Sequence, residues 1–281
     1  MFWVRLRSSI ILTAILITFM VFGGLPLFLA LALITFIGMM EYYRAVGIEK
    51  TGLAITAYIL CALFLALTWF TTLDWGIAGA LIWPDMWTLA FIMLCLSVLF
   101  AVYVLTFPKF NDRQMVYAFF GLIYVAVALS YIYKTRIMDD GAYLVWLIFL
   151  CSWGSDLSAY SFGMLFGKHK LTPVLSPKKS VEGAVGGVVG AAILGMVYAL
   201  IFKEHLTEFS NPVLSVAILC AVGSVIAQIG DLAASAIKRN HDIKDYGTLI
   251  PGHGGILDRF DSVIFTAPIV YYLIVVLQLW G

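Results

Sequence analysis

Charged residues are scarce in this sequence. Asp, Glu, Lys and Arg together make up 12% of its 281 residues, whereas hydrophobic residues make up 63%. A soluble globular domain carries about 25% charged residues, so this composition excludes a soluble fold and predicts an integral membrane protein. The formal net charge is only +1, which argues against nucleic acid as a partner because no strong basic field surrounds the chain.

The cysteines show no functional spacing. The sequence has four of them, all within apolar runs and none in a CxxC pair: Cys61, Cys95, Cys151 and Cys220. This pattern indicates neither a zinc site nor a disulfide framework. Buried thiols that pack as small apolar side chains are the favoured interpretation.

Long apolar runs are abundant. A membrane-spanning helix needs about 20 mostly apolar residues, and nine segments are predicted to span, at roughly 8–22, 25–41, 52–70, 86–107, 115–133, 142–166, 181–202, 211–237 and 262–280. Arg5 and Arg7 followed by the first apolar segment resemble a signal peptide. No A-x-A-like cleavage site comes after this segment, so we expect it to be retained. The predicted fold class is all-α, a polytopic membrane protein that forms a single membrane domain over residues 1–281.

The basic residues predict the orientation of this domain. If the N-terminus is cytoplasmic and nine helices span, all 17 Lys and Arg residues fall on the cytoplasmic side except Lys134, Arg136 and Lys203. Cytoplasmic loops of membrane proteins are enriched in Lys and Arg. The expected topology therefore has the N-terminus in the cytoplasm and the C-terminus outside.

The two halves of the sequence differ in polarity. Residues 1–135 carry few polar groups within their predicted spans, and residues 150–261, within the C-terminal half 136–281, hold almost all of the intramembrane polarity. The densest polar stretch, residues 235–261, contains four Asp, two Lys, two Arg, two His and four Gly. Charged groups at a membrane boundary are costly unless they are paired, hydrated or bound to ions. We therefore expect a plain N-terminal half and a catalytic C-terminal half.

Four carboxylates are the candidate metal ligands. Asp156 in the sixth predicted span and Asp231 in the eighth reach a similar depth from two helices, near the cytoplasmic side. Asp258 and Asp261 are spaced i, i+3, which places both carboxylates on one face of a helix. Hard carboxylate oxygens favour Mg²⁺, so the sequence predicts a shared Mg²⁺ site and leaves the identity of any second cation open. A structural, hydrogen-bonded Asp is the alternative for Asp156.

Basic residues and glycines surround these acids. Lys178 and Lys179 precede a predicted helix that Ser180 could cap, and the N-terminus of a helix favours anions. A basic loop that only contacts lipid headgroups is the alternative for these lysines. The glycine pairs Gly183/Gly187 and Gly186/Gly190 have the GxxxG spacing of closely packed membrane helices, and we interpret them as structural.

The glycines of the polar stretch predict a loop that closely approaches a ligand. Gly252, Gly254 and Gly255 surround His253, and glycine permits backbone conformations that bring amides close to a bound group. Positive charge for phosphates is available nearby from Lys238, Arg239, Lys244 and Arg259. Carboxylates, basic side chains and a glycine-rich loop on the cytoplasmic face predict a Mg²⁺-dependent enzyme that acts on phosphates at the membrane surface.

The polar stretch also resembles a known signature. The run S-x-I-K-R-x4-K-D-x-G-x2-I-P-x-H-G-G-I-x-D-R-x-D, from Ser235 to Asp261, is similar to that of phosphatidate cytidylyltransferases, also called CDP-diacylglycerol synthases. The segments 156–160 and 176–183 resemble further motifs of the same family, although Leu157 and Ser158 stand where the family often has Thr and Gly. The resemblance covers roughly residues 150–281 strongly.

This resemblance implies an activity, partners and a location. The implied enzyme converts CTP and phosphatidate to CDP-diacylglycerol and pyrophosphate in phospholipid biosynthesis, with phosphatidate entering from the inner leaflet. It would be a multi-pass protein of the bacterial cytoplasmic (inner) membrane with its active site facing the cytoplasm. Membrane lipid and Mg²⁺ are further implied partners, and a homodimer is left open.

The resemblance also implies roles for individual residues. Asp231, Asp258, Asp261, Lys238 and Arg259 would be catalytic, and Asp156 would join the three aspartates as a metal ligand. The implied substrate-binding residues are Ser176, Lys178, Lys179, Arg239, Lys244, His253, Gly254 and Gly255.

Two other classes of function stay open at this point. Paired membrane carboxylates also serve cation-coupled transporters, but the predicted external loops contain no matching polar cluster. A CTP-dependent polyprenol kinase is the second alternative. The D-G-x2-A-R pattern of CDP-alcohol phosphotransferases is absent from the sequence, which argues against that neighbouring class.

Overall fold

The structure, a computed structural model, is a bundle of long helices with one small hairpin. It describes residues 2–72, 84–207, 209–252 and 254–279. The helices of the first half are α1 (Phe2–Phe22), α2 (Gly24–Ala45), α3 (Gly52–Thr72), α4 (Pro84–Leu105) and α5 (Asp112–Arg136). Those of the second half are α6 (Gly141–Phe166), α7 (Val181–Ile201), α8 (Pro212–Asn240) and α9 (Leu257–Leu279).

The all-α membrane fold is confirmed. Within the described residues, eight helices are long and apolar enough to cross a membrane, and they coincide with eight of the predicted spans. The prediction for residues 8–22 coincides with Ile10–Phe22, the shorter apolar part of α1. The count of nine spans, the orientation of the termini and the division at residue 135 stay predictions.

Apolar side chains are distributed as a lipid environment requires. Large apolar residues on the outside of the bundle are exposed, among them Ile59, Val104 and Leu105. The most enclosed helix is α5, with 72% of its most apolar stretch buried, compared with 22% for the span Met86–Leu105. Helix α5 is therefore the centre of the first half, and its π-helical turn Leu122–Val127 packs against α2 and α3.

The second half is built on close helix packing. A Cβ atom added at Gly186 would lie 2.3 Å from Phe162 Cβ, and one added at Gly190 would lie 2.3 Å from Ser158 Oγ. Helix α7 can therefore approach α6 this closely only because these positions lack side chains. The structural interpretation of the GxxxG pairs is confirmed.

A short hairpin joins α6 to α7, where the sequence predicted only a loop. Strand β1 (Lys170–Thr172) pairs antiparallel with β2 (Ser176–Ser180), with a register irregularity between them. Ser180 ends the hairpin and caps α7, as predicted, because its Oγ accepts a hydrogen bond from Gly183 N at 3.1 Å. The hairpin thereby fixes the positions of Lys178 and Lys179, which belong to β2.

Candidate functional site

The first turn of α9 carries the two carboxylates that the i, i+3 spacing placed on one face. Lys238, near the end of α8, confirms this placement because it contacts both of them. Its Nζ donates to Asp258 Oδ1 at 2.8 Å and lies 3.9 Å from Asp261 Oδ2. The Lys238 side chain is only 11% exposed, so this group of charges is paired away from solvent.

The loop between α8 and α9 folds onto Asp258. Asp258 Oδ2 accepts hydrogen bonds from Tyr246 N at 2.8 Å and from Gly255 N at 2.9 Å. Gly252 and Gly254 have φ values of 78° and 83°, the left-handed region that glycine adopts readily. A Cβ at Gly254 would lie 2.7 Å from Asp258 Oδ2. The predicted special backbone of this loop is therefore confirmed, although its close contact is with a carboxylate of the chain itself.

A second acid–base pair comes from the hairpin and α8. Lys179, at the end of β2, donates a hydrogen bond from Nζ to Asp231 Oδ2. Both side chains are partly exposed, at 29% and 26%. A basic residue that precedes α7 therefore reaches the carboxylate on α8, and the hairpin belongs to the same site as the first turn of α9.

Asp156 on α6 completes the acidic group. Its side chain is exposed, and it interacts electrostatically with Asp231, Lys179 and Arg259. Asp261 in turn interacts with the charges of Asp231 and Asp156. The structure thus brings together carboxylates from α6, α8 and α9, as the matching depths predicted. Among the residues that the structure describes, no three acidic, imidazole or thiol side chains lie close enough to hold one metal ion as they stand.

A buried polar network joins helices α6, α7 and α8 beside these acids. Ser155 Oγ on α6 lies 2.7 Å from Ser224 Oγ on α8, and both serines are fully buried. Gln228 Nε2 on α8 donates to Ala184 O on α7 at 3.1 Å. Ser155 directly precedes Asp156, and Gln228 lies one turn before Asp231, so the network sets the positions of both carboxylates.

The remaining predicted residues lie around this centre. Arg239, at the end of α8, is exposed and donates from Nη1 to Ile243 O at 3.3 Å. Ser176 is half-buried and pairs with Thr172 in the hairpin. Three further predicted phosphate-binding side chains are exposed at the same end of the bundle: Lys178, Lys244 and Arg259. His253 lies outside the described residues, so its predicted role stays a prediction.

One acidic residue beside the site was not predicted from the sequence. Glu41 on α2 is buried at 2% exposure, and its carboxylate accepts hydrogen bonds from Ile256 N at 3.0 Å and Leu257 N at 2.8 Å. The available signal was an acid that stands alone in an apolar helix, since Gly24–Ala45 contains no other acidic residue. A residue of the N-terminal half therefore contacts the loop that precedes Asp258.

Fold and site together define a membrane-embedded protein whose helices gather acidic and basic groups at one end of the bundle. The chain belongs to the cytidylyltransferase family, whose model matches residues 3–277. This membership makes it a membrane transferase and agrees with the resemblance carried by residues 235–261.

Individual relatives extend the match over nearly the whole chain. The chain is 32% identical over 272 residues to a phosphatidate cytidylyltransferase of Staphylococcus saprophyticus, covering 97% of this chain and 98% of the relative. It is 31% identical over 272 residues to the protein of the same name from Staphylococcus haemolyticus, with the same coverage. A third, from Staphylococcus aureus, is 36% identical over 174 residues, which cover 61% of this chain and 64% of the relative.

Proposed function

We propose that this protein transfers a cytidylyl group from CTP to phosphatidate, which yields CDP-diacylglycerol and pyrophosphate, in a reaction that requires Mg²⁺. The observation that carries the proposal is the meeting of acids from α6, α8 and α9 with Lys179 and Lys238, in a chain of the cytidylyltransferase family. The names of its full-length bacterial relatives supply the lipid substrate.

The acidic residues have the donor chemistry for Mg²⁺. This cation prefers carboxylate oxygens and usually keeps several waters and substrate phosphates in its shell, so one or two protein carboxylates are enough. One or two of Asp261, Asp231 and Asp156 would hold it, since these carboxylates lie near enough to one another to interact electrostatically. Asp258 is less available because both of its oxygens accept hydrogen bonds from the protein. When bound, Mg²⁺ would offset negative charge on the transferring and leaving phosphates.

The basic residues would hold the triphosphate. Lys178, Arg239, Lys244 and Arg259 are exposed at the site, so a phosphate could reach them without breaking a buried pair. Lys179 is paired with Asp231 in this structure, and we expect it to bind pyrophosphate oxygens once Asp231 turns to the cation. Lys238 would keep its pair with Asp258 and bind a phosphate oxygen through another of its three N–H donors. Arginine can also bind phosphates through two parallel hydrogen bonds.

The reaction needs no general base on the protein. A phosphate oxygen of phosphatidate, already an anion, attacks the α-phosphorus of CTP and forms a new P–O bond. The bond between the α-phosphorus and the bridging oxygen breaks in line, and pyrophosphate leaves with that electron pair. The task of the protein is positioning and electrostatic stabilisation, which suits a site of paired lysines and carboxylates.

We further propose that the site faces the cytoplasm from the bacterial inner membrane. The positive-inside distribution of Lys and Arg supports this orientation, and CTP is available on that side. Phosphatidate would enter sideways from the inner leaflet, beside the exposed face of α6 that includes Tyr160 and Met164.

The proposal is tested with the purified protein in detergent micelles that contain phosphatidate. With CTP labelled in the cytosine ring and Mg²⁺ present, we expect a lipid-soluble labelled product. Chelation of Mg²⁺ or omission of phosphatidate should abolish it. Absence of a lipid-soluble product in the complete mixture would contradict the proposed function, and full activity with chelator would contradict the Mg²⁺ requirement.

A further inference from the structure

The loop that carries the candidate site is held from two directions. Asp258 on α9 accepts hydrogen bonds from Tyr246 N and Gly255 N, while Glu41 on α2 accepts from the next two amides of the chain, Ile256 N and Leu257 N. The Glu41 contacts lie at the start of α9, where the helix dipole favours a negative charge. Glu41 therefore fixes the chain immediately before the first turn that carries Asp258.

The loop also packs directly on the Glu41 carboxylate. A Cβ atom added at Gly247 would lie 2.4 Å from Glu41 Oε1, and one added at Gly255 would lie 2.4 Å from both carboxylate oxygens. Both ends of the segment 247–255 thus touch the same buried acid, and only glycine permits contacts this close.

Helix α2 presents a complementary face to this end of α9. Gly38 lies one turn before Glu41, and a Cβ there would meet Leu257 Cδ1 at 3.6 Å and Val125 Cγ1 at 3.1 Å. Gly38 and Glu41 therefore share the face that packs against the start of α9. The contact between the two halves of the chain is close and polar at this point.

We propose that Glu41 is a positioning residue for the reaction, which holds Gly247, Gly255 and the first turn of α9 in register with Lys238. This inference rests on the proposed function for its catalytic consequence, but the restraint on the loop does not. Glutamine at this position keeps one acceptor oxygen and replaces the other with an NH2 donor, so one of the amides of Ile256 and Leu257 loses its acceptor. The first turn of α9 is then held less firmly. A displacement of about 1 Å in a catalytic group can lower a rate by about 100-fold.

The test compares Glu41→Gln with the matched control Glu49→Gln. Glu49 follows the end of α2 and makes a surface ion pair with Arg44 at 3.0 Å. In the ligand-free protein, we expect hydrogen–deuterium exchange at residues 246–258 to be about tenfold faster in Glu41→Gln, because the loop opens locally. Exchange in α3 and α4 should be unchanged, and the control should match the wild type throughout.

Kinetics provide the second readout. In Glu41→Gln we expect kcat to fall by about tenfold or more, with the Mg²⁺ concentration for half-maximal activity raised and the KM for phosphatidate nearly unchanged. A partly unfolded preparation would lower the rate but leave the Mg²⁺ midpoint in place. Gly247→Ala approaches the same contact from the loop and should reproduce both effects, so the test does not depend on one variant.

The outcomes separate the two proposals. Wild-type exchange at residues 246–258 in both variants would overturn the positioning role. Faster exchange with unchanged kcat and Mg²⁺ midpoint would overturn its catalytic consequence. If the wild type makes no lipid-soluble cytidine product while exchange still rises in Glu41→Gln, the proposed function fails and the restraint of the loop by Glu41 stands.

Discussion

Asp258 and Asp261 lie one helical turn apart but have different surroundings. The Asp258 side chain is 2% exposed, and its two oxygens accept hydrogen bonds from Lys238 Nζ and from two loop amides. Asp261 is 13% exposed, lies 3.9 Å from Lys238, and accepts a hydrogen bond from Ser262 N at 2.8 Å. We infer that Asp258 chiefly orders the loop and Lys238, while Asp261 is the better placed to hold a cation.

Asp261→Asn should therefore lower activity without unfolding the protein. The substitution removes the negative charge with little change of shape, and loss of one electrostatic group at a reacting centre typically lowers kcat by about 100-fold or more. Turnover and thermal denaturation in detergent are measured together. Asp242→Asn is the control, since Asp242 is exposed and its φ of 55° is one that asparagine tolerates. Activity of Asp261→Asn near that of the control would contradict the assignment.

Asp258→Asn is expected to lower both activity and stability. Lys238 is only 11% exposed and would keep only the more distant carboxylate of Asp261, at 3.9 Å. Breaking a buried ion pair by removing one member costs about 3–5 kcal/mol. The midpoint of thermal denaturation should fall clearly below that of Asp261→Asn. Equal midpoints for the two variants would show that Asp258 has no special structural role.

Among the structural elements, helices α6, α7 and α8 and the hairpin set the relative positions of Asp156, Asp231 and Lys179. The contacts of α6 with α7 depend on glycines, and those of α6 and α7 with α8 include the network of Ser155, Ser224 and Gln228. The hairpin then places Lys179 on Asp231. A change in helix spacing should therefore displace Asp156 relative to Asp231 even though no site residue is altered.

Gly186→Ala tests this dependence. The added Cβ would lie 2.3 Å from both Cβ and Cγ of Phe162, so the helices must separate or Phe162 must move, and overpacking of this kind costs about 1–3 kcal/mol. We expect a lower midpoint of thermal denaturation and reduced turnover. Gly52→Ala is the control, because its nearest contact would be Phe110 at 3.5 Å, an ordinary packing distance. Identical behaviour of the two variants would argue against close packing at Gly186.

At the scale of the whole molecule, hydropathy predicted the spans well and their polar ends poorly. The last span was expected from residue 262, whereas α9 begins at Leu257, because Asp258, Arg259 and Asp261 lower the local hydropathy although they occupy a helical turn. The hairpin was missed for a related reason. Its strands have three and five residues, too few for a periodic pattern to be recognised.

The other features that were not predicted depend on contacts between residues far apart in the sequence. The carboxylates could be assigned to one end of the bundle because membrane helices have a predictable length and direction. Glu41 could not be connected to the site in this way, since its partners Ile256 and Leu257 are 215 and 216 residues away. Likewise, spacing alone could not distinguish Asp258 from Asp261, because their difference arises from the fold of the preceding loop.

The proposed reaction transfers the cytidylyl group of CTP to the lipid, and not its terminal phosphate. The most direct measurement compares CTP labelled at the α-phosphate with CTP labelled at the γ-phosphate, each incubated with the protein, phosphatidate and Mg²⁺ and then extracted with organic solvent. We predict that the α-label enters the lipid phase and that the γ-label stays in water as pyrophosphate. Transfer of the γ-label to lipid, or of neither label, would show that the protein does not transfer a cytidylyl group to phosphatidate.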